Sequence, residues 1–155
     1  YDVSHFYGSP TRAAQLLGLS TIVTEQYPKG LGPSIPEVRD VLSPVTPVIE
    51  KTSFSCWASE DFTYAMQTIR PRTIILVGLE AHICLLQTAM QALNEGFKVL
   101  VPGDATCSRN DYDKAIALTL MREAGVSIST VEAICFDWLE DARHPKFREF
   151  SAIFK

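Results

Sequence analysis

The sequence has few basic residues and no long apolar run, and both shortages exclude classes of function. Only 14 of the 155 residues are Lys or Arg, against 18 Asp or Glu. This balance provides no basic stripe for phosphates, so we expect no nucleic-acid partner. No apolar run approaches the roughly 18 residues that cross a bilayer, and no secretory signal pattern is present. We therefore expect no membrane partner and a small-molecule substrate.

Cysteine is also sparse, and its spacing excludes two kinds of structural site. The four cysteines form no CxxC pair, which argues against both a disulfide framework and a zinc knuckle. They are Cys56, Cys84, Cys107 and Cys135. This usage predicts a reducing compartment, and we expect a cytoplasmic location.

The length and hydrophobic content predict one domain, residues 1–155. Hydrophobic residues make up 46% of the chain, which is enough for a single sizeable core. The sequence contains no internal repeat, low-complexity tract or linker that would indicate a second unit.

Apolar β-branched runs alternate with helical patterns along the chain. We predict strands at 21–24, 47–49, 73–77, 98–101 and 127–129, and helices at 59–69, 82–95, 111–124, 131–141 and 145–154. Gly96 and Gly125 stand where C-terminal helix caps belong, and Pro145 stands at a first helical position. This alternation predicts an α/β fold with a mainly parallel sheet covered on both faces.

Two segments depart from this alternation. Residues 26–47 contain so many Pro and Gly residues that we predict a long loop without regular structure. The N-terminal residues instead follow a helical stripe that ends near Leu17, with Asp2 as a plausible cap. Because a βα fold normally has a strand before such a helix, we expect the first strand to be absent from this sequence.

Cys84 follows the most apolar strand after a short turn. In open α/β sheets, ligands bind outside the carboxyl ends of the strands. Cys84 would lie in the first turn of the next helix, where backbone N–H groups and the helix dipole favour a thiolate. Position alone supports a small buried hydrophobic residue equally well.

Lys51 is the candidate partner of Cys84. It follows a short apolar run and precedes Phe54, so its ammonium could lie near a strand end between apolar walls. A nearby cation would stabilise the thiolate. The alternative, a solvated surface lysine, is the more common situation for a single lysine.

Three ordered motifs together resemble the isochorismatase-like hydrolase superfamily. They are Lys51 in Lys-Thr-x-Phe-Ser, Cys84 in Gly-x-Glu-Ala-x-x-Cys-x-Leu-Gln-Thr, and the segment 24–32, Thr-Glu-Gln-Tyr-Pro-Lys-Gly-Leu-Gly. The eukaryotic isochorismatase domain-containing proteins are the most similar group. The similarity runs from about residue 13 to the C-terminus, including His144-Pro145-x-Phe147.

The resemblance implies a fold and a set of site residues. The fold is a three-layer α/β sandwich, and the family's cysteine hydrolases use an Asp, Lys, Cys triad. By this similarity Cys84 is the nucleophile and Lys51 orients the substrate. The family's non-proline cis peptide falls at Leu79-Glu80, and the backbone N–H groups of Glu80 and Cys84 form the oxyanion hole. We expect the substrate pocket to include Tyr27, Phe54, Leu79 and His82, although His82 could instead cap its own helix.

The triad's Asp is the departure from the family pattern. In the family it closes the first strand, and no Asp-x-Gln pattern occurs here. We do not transfer the role to Asp2, which fits better as a helix cap. Either the catalytic Asp lies upstream of this sequence, or the protein lacks general-base catalysis, typically worth roughly a hundred- to ten-thousand-fold in rate.

The other three cysteines are predicted to be unreactive. Cys56, with Trp57, is expected in the core or a pocket wall, and Cys135 lies on an apolar helix face. Cys107 follows a predicted strand, so it could border the site without reacting. Structural buried cysteines are generally inert.

The expected reaction is hydrolysis of an amide-like C–N bond through a Cys84 thioester, without a cofactor. Vinyl-ether hydrolysis, for which the superfamily is named, needs no cysteine nucleophile. The non-enzymatic alternative is a catalytically silent oligomeric scaffold of the same fold. A nuclease is disfavoured by the excess of acidic over basic residues. Whether the protein is an enzyme or a scaffold, we expect a homo-oligomer.

A further prediction concerns metal. Nicotinamidase relatives bind a divalent ion through an Asp and several His after the second strand, and the stretch 24–27 contains no His. Added zinc, iron or manganese should therefore neither bind stoichiometrically nor change activity. Metal analysis after mild purification checks this, and about one equivalent of tightly held metal would contradict it.

Overall fold

The computed structural model describes residues 8–155, in which five strands form two parallel sheets. Strand β1 (Val23–Gln26) pairs with β2 (Val48–Lys51), and β4 (Lys98–Pro102) lies between β3 (Thr73–Ile75) and β5 (Ser127–Ser129). Every described pairing is parallel. The predicted α/β fold with a mainly parallel sheet is confirmed.

The sheet is broken between β1 and β3. Residues 21–26 and residues 75–79 both line one cavity of about 450 Å³. Within residues 8–155 no strand lies between these two edges. The cavity therefore lies between the two sheets.

Three helices begin within one residue of their predicted positions. Side-chain oxygens of Ser59, Asn110 and Thr130 accept hydrogen bonds from amides of the first turn, which caps three helices. These are α4 (Glu60–Ile69), α6 (Asp111–Ala124) and α7 (Val131–Leu139). Gly125 ends α6 with a φ of 108°, a left-handed conformation that glycine adopts without steric cost.

The predicted helix at 82–95 is two different segments in the structure. Ala81–Leu85 is a π-helix, and α5 (Leu86–Asn94) continues from it. Gly96 follows the cap of α5 with a φ of 86°, as expected for a C-terminal stop. Short π-helical insertions are rare and are frequent at functional sites.

The prediction of an irregular loop over 26–47 is wrong in two respects. Gln26 belongs to β1, because pairing with β2 continues this strand two residues past the end of the strand predicted at 21–24. Two one-turn helices follow, α2 (Pro28–Leu31) and α3 (Pro36–Arg39). Each has Pro at its first position, where the fixed φ of proline suits a helix and the missing N–H has no partner to lose.

The described part of the N-terminal helix ends at Leu17 as predicted, and the C-terminal helix is shorter than predicted. Helix α1 is described as Ser9–Leu17, and the Asp2 cap lies outside the described residues. Helix α8 (Phe147–Ala152) begins two residues after Pro145, so Pro145 does not occupy its first turn. The chain from Asp141 to His144 is instead held by local turns.

Three apolar clusters join the helices to the sheets. The largest contains Ala81, Leu85 and Ala89 beside Val99 and Val101 of β4. The second joins α1, α7 and α8 through Ala13, Cys135 and Phe150, and the third packs α4 on β2 through Ile49, Phe62 and Met66. Helices thus cover the sheets on both sides, which is the expected three-layer arrangement. Among the helices described, none has the length and apolarity to cross a bilayer.

Cys135 generates a prediction about alkaline stability. Its side chain is 1% exposed, and burial, with a smaller effect of Asp104, raises the pKa of its thiol from 9.0 to about 12. The folded state therefore favours the protonated thiol. The resulting stability is complete below pH 9.0 and is lost as the pH rises toward about 12.

We expect the free energy of unfolding to fall less steeply over this pH range in Cys135→Ala than in the unchanged protein. Urea denaturation at several pH values measures how steeply the free energy of unfolding falls with pH. A pH-independent loss of stability from the smaller side chain does not change that slope. Cys107→Ala, at a partly exposed cysteine, is the matched control and should keep the original slope. Equal slopes for all three proteins would refute the prediction.

Candidate active site

Strands β1 and β2 end side by side, which places Gln26 next to Lys51. The two residues are register partners in the parallel ladder. The Lys51 side chain is 7% exposed, so it is not the solvated surface lysine of the alternative interpretation. Its Nζ donates to Gln26 Oε1 at 2.5 Å and to the carbonyl oxygens of Ser53 and Phe54 at 2.9 Å each. Each of the three N–H groups of the ammonium has an acceptor.

The turn that supplies the two carbonyls is docked on the helix that carries Cys84. The Cys56 N–H donates to Thr88 Oγ1 at 3.1 Å, and Ser55 Oγ bonds the side chain of Gln91. Thr88 is buried, and its hydroxyl in turn donates to the Cys84 carbonyl at 2.7 Å. Lys51 and Cys84 are therefore held in one rigid unit, although their segments are distant in sequence.

Cys84 lies in the first turn of the helical segment that follows β3, as predicted. The chain leaves the strand through Gly78 and a cis peptide at Leu79-Glu80, where the resemblance implied one. The N–H groups of Ile83 and Leu85 both donate to the Glu80 carbonyl, at 3.1 and 3.2 Å. The Cys84 side chain is partly exposed and lines the cavity between the two sheets.

Gln26 lies between the two predicted site residues, and sequence reasoning missed it. Its Oε1, which accepts from Lys51, is also 3.9 Å from Cys84 Sγ, within hydrogen-bonding distance for sulfur. The available signal was its position at the end of a strand, but the prediction placed that strand end at residue 24. The ammonium and the thiol thus share one amide oxygen.

Within residues 8–155, no carboxylate forms an ion pair with Lys51. Glu25 precedes Gln26 on β1. Its side chain lies on the opposite side of the strand from that of Gln26, because successive side chains of a strand alternate. There its carboxylate accepts from the Ser34 N–H at 2.6 Å. The described residues offer neutral oxygens to the Lys51 ammonium, and Asp2 lies outside them.

Three of the four predicted pocket residues are exposed apolar side chains around this site. Tyr27, Phe54 and Leu79 are 52%, 53% and 60% exposed. Leu79 lines the cavity that contains Cys84, whereas Tyr27 lines a second cavity of about 430 Å³ that reaches Lys51. Phe54 follows the turn and lines neither cavity, although its carbonyl holds the ammonium.

Tyr27 is held in an unusual backbone conformation. Its φ of 43° is left-handed, and its N–H donates to the Lys51 carbonyl at 2.7 Å. Its ring lies against Gly30, where an added Cβ would come within 2.2 Å of a ring carbon. A side chain at position 30 would therefore force the Tyr27 ring to move. Backbone outliers such as Tyr27 cluster at functional sites.

His82 lies to one side of the two cavities and does not cap its own helix. Its Nδ1 is 2.9 Å from Ser108 Oγ and 3.6 Å from Glu80 Oε2. Its Nε2 is 4.0 Å from a carboxylate oxygen of Asp113. The ring therefore links the Cys84 segment to the loop before α6, and it lines neither cavity.

The other cysteines occupy the expected places. Cys56 and Cys135 are buried in apolar clusters. Cys107 is partly exposed, and its N–H donates to the Gly78 carbonyl at 3.2 Å while its carbonyl accepts from Ala81. Cys107 therefore borders the segment that carries Cys84.

No group of three or more His, Cys, Asp or Glu side chains within residues 8–155 could hold a metal ion. The absence of a metal site in the protein as a whole remains a prediction.

The parallel sheets and the covering helices together define a three-layer α/β fold, with the candidate site at the carboxyl ends of the strands. A family model described as the isochorismatase domain matches residues 11–133. The Isochorismatase domain-containing protein 2 of Xenopus laevis is 40% identical over 143 residues, which are 92% of this chain and 68% of that protein. The chain belongs to the isochorismatase family, and it is a hydrolase by family.

Two solved structures extend the comparison. The MAR1 ribonuclease from Caenorhabditis elegans is 37% identical with a TM-score of 0.88, covering 96% of this chain and 78% of its own. YcaC from Pseudomonas aeruginosa, solved with hexane-2,5-diol and covalent acrylamide, is 26% identical with a TM-score of 0.91. That match covers 98% of this chain and 75% of YcaC. The whole described fold is shared with both proteins.

The position of Lys51 predicts a specific effect on Cys84. Lys51→Met removes the charge and keeps most of the apolar stem, so the thiolate loses its neighbouring cation. We expect alkylation of Cys84 by iodoacetamide at pH 7 to slow about tenfold or more, with the pH midpoint of alkylation moved upward. Loss of the three hydrogen bonds should cost about 1–3 kcal/mol of stability without preventing folding.

Mass spectrometry over a pH series measures this midpoint for Cys84 separately from the other cysteines. Lys29→Met is the matched control, because Lys29 is an exposed lysine on the same side of the site. A folded Lys51→Met protein with an unchanged midpoint would show that the ammonium does not act on the sulfur.

Proposed function

We propose that this protein hydrolyses an amide-like C–N bond of a small molecule through a thioester on Cys84. The observation that carries the proposal is the buried Lys51 ammonium, which shares the Gln26 amide oxygen with the Cys84 thiol. A cation held at this position favours the nucleophilic thiolate, and the helix start at Ala81 adds to the effect. The sulfur borders a cavity of about 450 Å³, a volume that suits a small substrate.

In the first step the Cys84 sulfur forms a bond to the substrate carbonyl carbon, and the carbonyl π electrons move to oxygen. We assign the N–H groups of Glu80 and Cys84 to this oxyanion. The neighbouring N–H groups of Ala81, Ile83 and Leu85 already donate to backbone carbonyls. Collapse of the intermediate breaks the C–N bond, and the leaving amine carries away the proton that the thiol released.

In the second step water attacks the thioester, which releases a carboxylic acid and restores the thiol. Lys51 would orient the substrate at the cavity wall through its charge. Leu79 in the cavity that contains Cys84, and Tyr27 in the cavity that reaches Lys51, provide exposed apolar surface for the remainder of the substrate. The reaction consumes one water and needs no cofactor.

The covalent acrylamide in Pseudomonas aeruginosa YcaC supports a reactive nucleophile within this fold. Acrylamide is an electrophile that reacts with thiolates. In the present chain Cys84 is the partly exposed cysteine that lines the cavity between the sheets. Vinyl-ether hydrolysis is a weaker alternative, because it would leave this cysteine without a role.

Ribonuclease activity is the second candidate, since a structural relative 37% identical to this chain is named a ribonuclease. It would still be a hydrolysis, with phosphorus in place of the carbonyl carbon. The excess of acidic over basic residues gives RNA little electrostatic attraction. The proposed function therefore favours a small uncharged or monoanionic substrate.

We further propose a homo-oligomer in the cytoplasm. Tyr112, Ile116 and Leu120, spaced four residues apart on α6, are 71%, 43% and 46% exposed. An apolar stripe of this kind on a surface helix favours association between subunits. A catalytically silent oligomer of this fold would use the same stripe and would leave Cys84 unreactive.

The test is a screen of small amides and activated esters with the unchanged protein and with Cys84→Ala. We expect hydrolysis that falls at least a thousandfold in Cys84→Ala, because the nucleophile is lost. Hydroxylamine should convert the trapped acyl-enzyme to a hydroxamate, and mass spectrometry should locate the acyl group on Cys84. Cys107→Ala is the matched control and should retain the rate.

A parallel assay with single-stranded RNA separates the two candidates. RNA cleavage that survives Cys84→Ala, with no acyl-substrate hydrolysis, would overturn the thioester proposal. Hydrolysis of acyl substrates at the same rate in both proteins would remove Cys84 from the mechanism.

A further inference from the structure

The orientation of the Gln26 side-chain amide is determined by its two hydrogen-bond partners. Gln26 Nε2 donates to the Thr52 carbonyl at 2.6 Å, and Oε1 accepts from Lys51 Nζ at 2.5 Å. A backbone carbonyl only accepts and an ammonium only donates, so exchanging the amide nitrogen and oxygen would break both bonds. The oxygen must therefore face Lys51 and Cys84.

The backbone of Gln26 is held as firmly as its side chain. Gln26 closes β1 in register with Lys51, and the following N–H, that of Tyr27, donates to the Lys51 carbonyl. The amide oxygen consequently occupies a defined position, 3.9 Å from Cys84 Sγ. At that distance the thiol can donate its proton to the oxygen, whereas a thiolate faces the negative end of the amide dipole.

We propose that Gln26 is a positioning residue that sets the protonation of Cys84, an inference that rests on the proposed nucleophile. Its oxygen holds the Lys51 ammonium beside the sulfur, and the same oxygen stabilises the thiol against the thiolate. A hydrogen bond to the neutral form of an acid opposes ionisation, whereas a neighbouring cation promotes it. Gln26 thus opposes the effect of Lys51 on the sulfur.

Two variants of nearly the same size test this balance. Gln26→Met removes the oxygen and leaves the ammonium free to turn to the sulfur, so the pH midpoint of Cys84 alkylation should fall. Gln26→Glu places a carboxylate beside the sulfur, so the midpoint should rise. Each shift should be about one pH unit, which changes the alkylation rate near neutral pH about tenfold.

Iodoacetamide labelling over a pH series, read by mass spectrometry at Cys84, provides the midpoints. Gln67→Met, an exposed glutamine on α4, is the matched control and should leave the midpoint unchanged. Circular dichroism and thermal unfolding establish that each variant is folded. If Gln26→Met fails to fold, Gln26→Asn, which withdraws the oxygen by one methylene, should lower the midpoint instead.

A lower midpoint in Gln26→Met together with a higher midpoint in Gln26→Glu would support the proposal, because general loosening of the site would move both midpoints in one direction, and the reverse pair of shifts would overturn it. Shifts of the same sign, or no shift in either folded variant, would overturn it. The readout does not need turnover. The expected opposite shifts in a protein that hydrolyses none of the screened substrates would therefore contradict the proposed function and leave the role of Gln26 intact.

Discussion

The buried Lys51 ammonium is the constraint on which the candidate site depends. Burying a charge is costly unless its hydrogen-bonding capacity is satisfied, and here the three acceptors come from the end of β1 and from the turn after β2. The strand register and the turn must therefore both be correct. Thr88 and Gln91 bind that turn to α5, so the same requirement also sets the position of Cys84.

Family membership and site chemistry answer different questions in this protein. The isochorismatase family establishes the fold and the broad hydrolase class, but one structural relative is named a ribonuclease and another carries covalent acrylamide. One fold can support several chemistries because function resides in a few positioned side chains. The charge, burial and hydrogen bonds of Lys51, Gln26 and Cys84 accordingly support the proposed C–N hydrolysis.

Much of the fold could be predicted because its signals are local. Gly96 and Gly125 mark the ends of two helices, and alternation of strands with helices predicts parallel pairing. The predictions failed where neighbours in space decide the structure. Pairing with β2 extends β1 to Gln26, and the π-helix at 81–85 depends on a backbone path set by contacts with the loop around Cys107.

The sequence by itself determined the α/β class, the main helices and the two candidate site residues, Cys84 and Lys51, through their motifs and their positions after apolar runs. Only the tertiary structure decided that an amide oxygen lies between them. Gln26 is 25 residues from Lys51 and 58 residues from Cys84 along the chain. No local pattern specifies such contacts, because they arise when parallel strands and a helix from separate segments pack so that their ends meet at one edge.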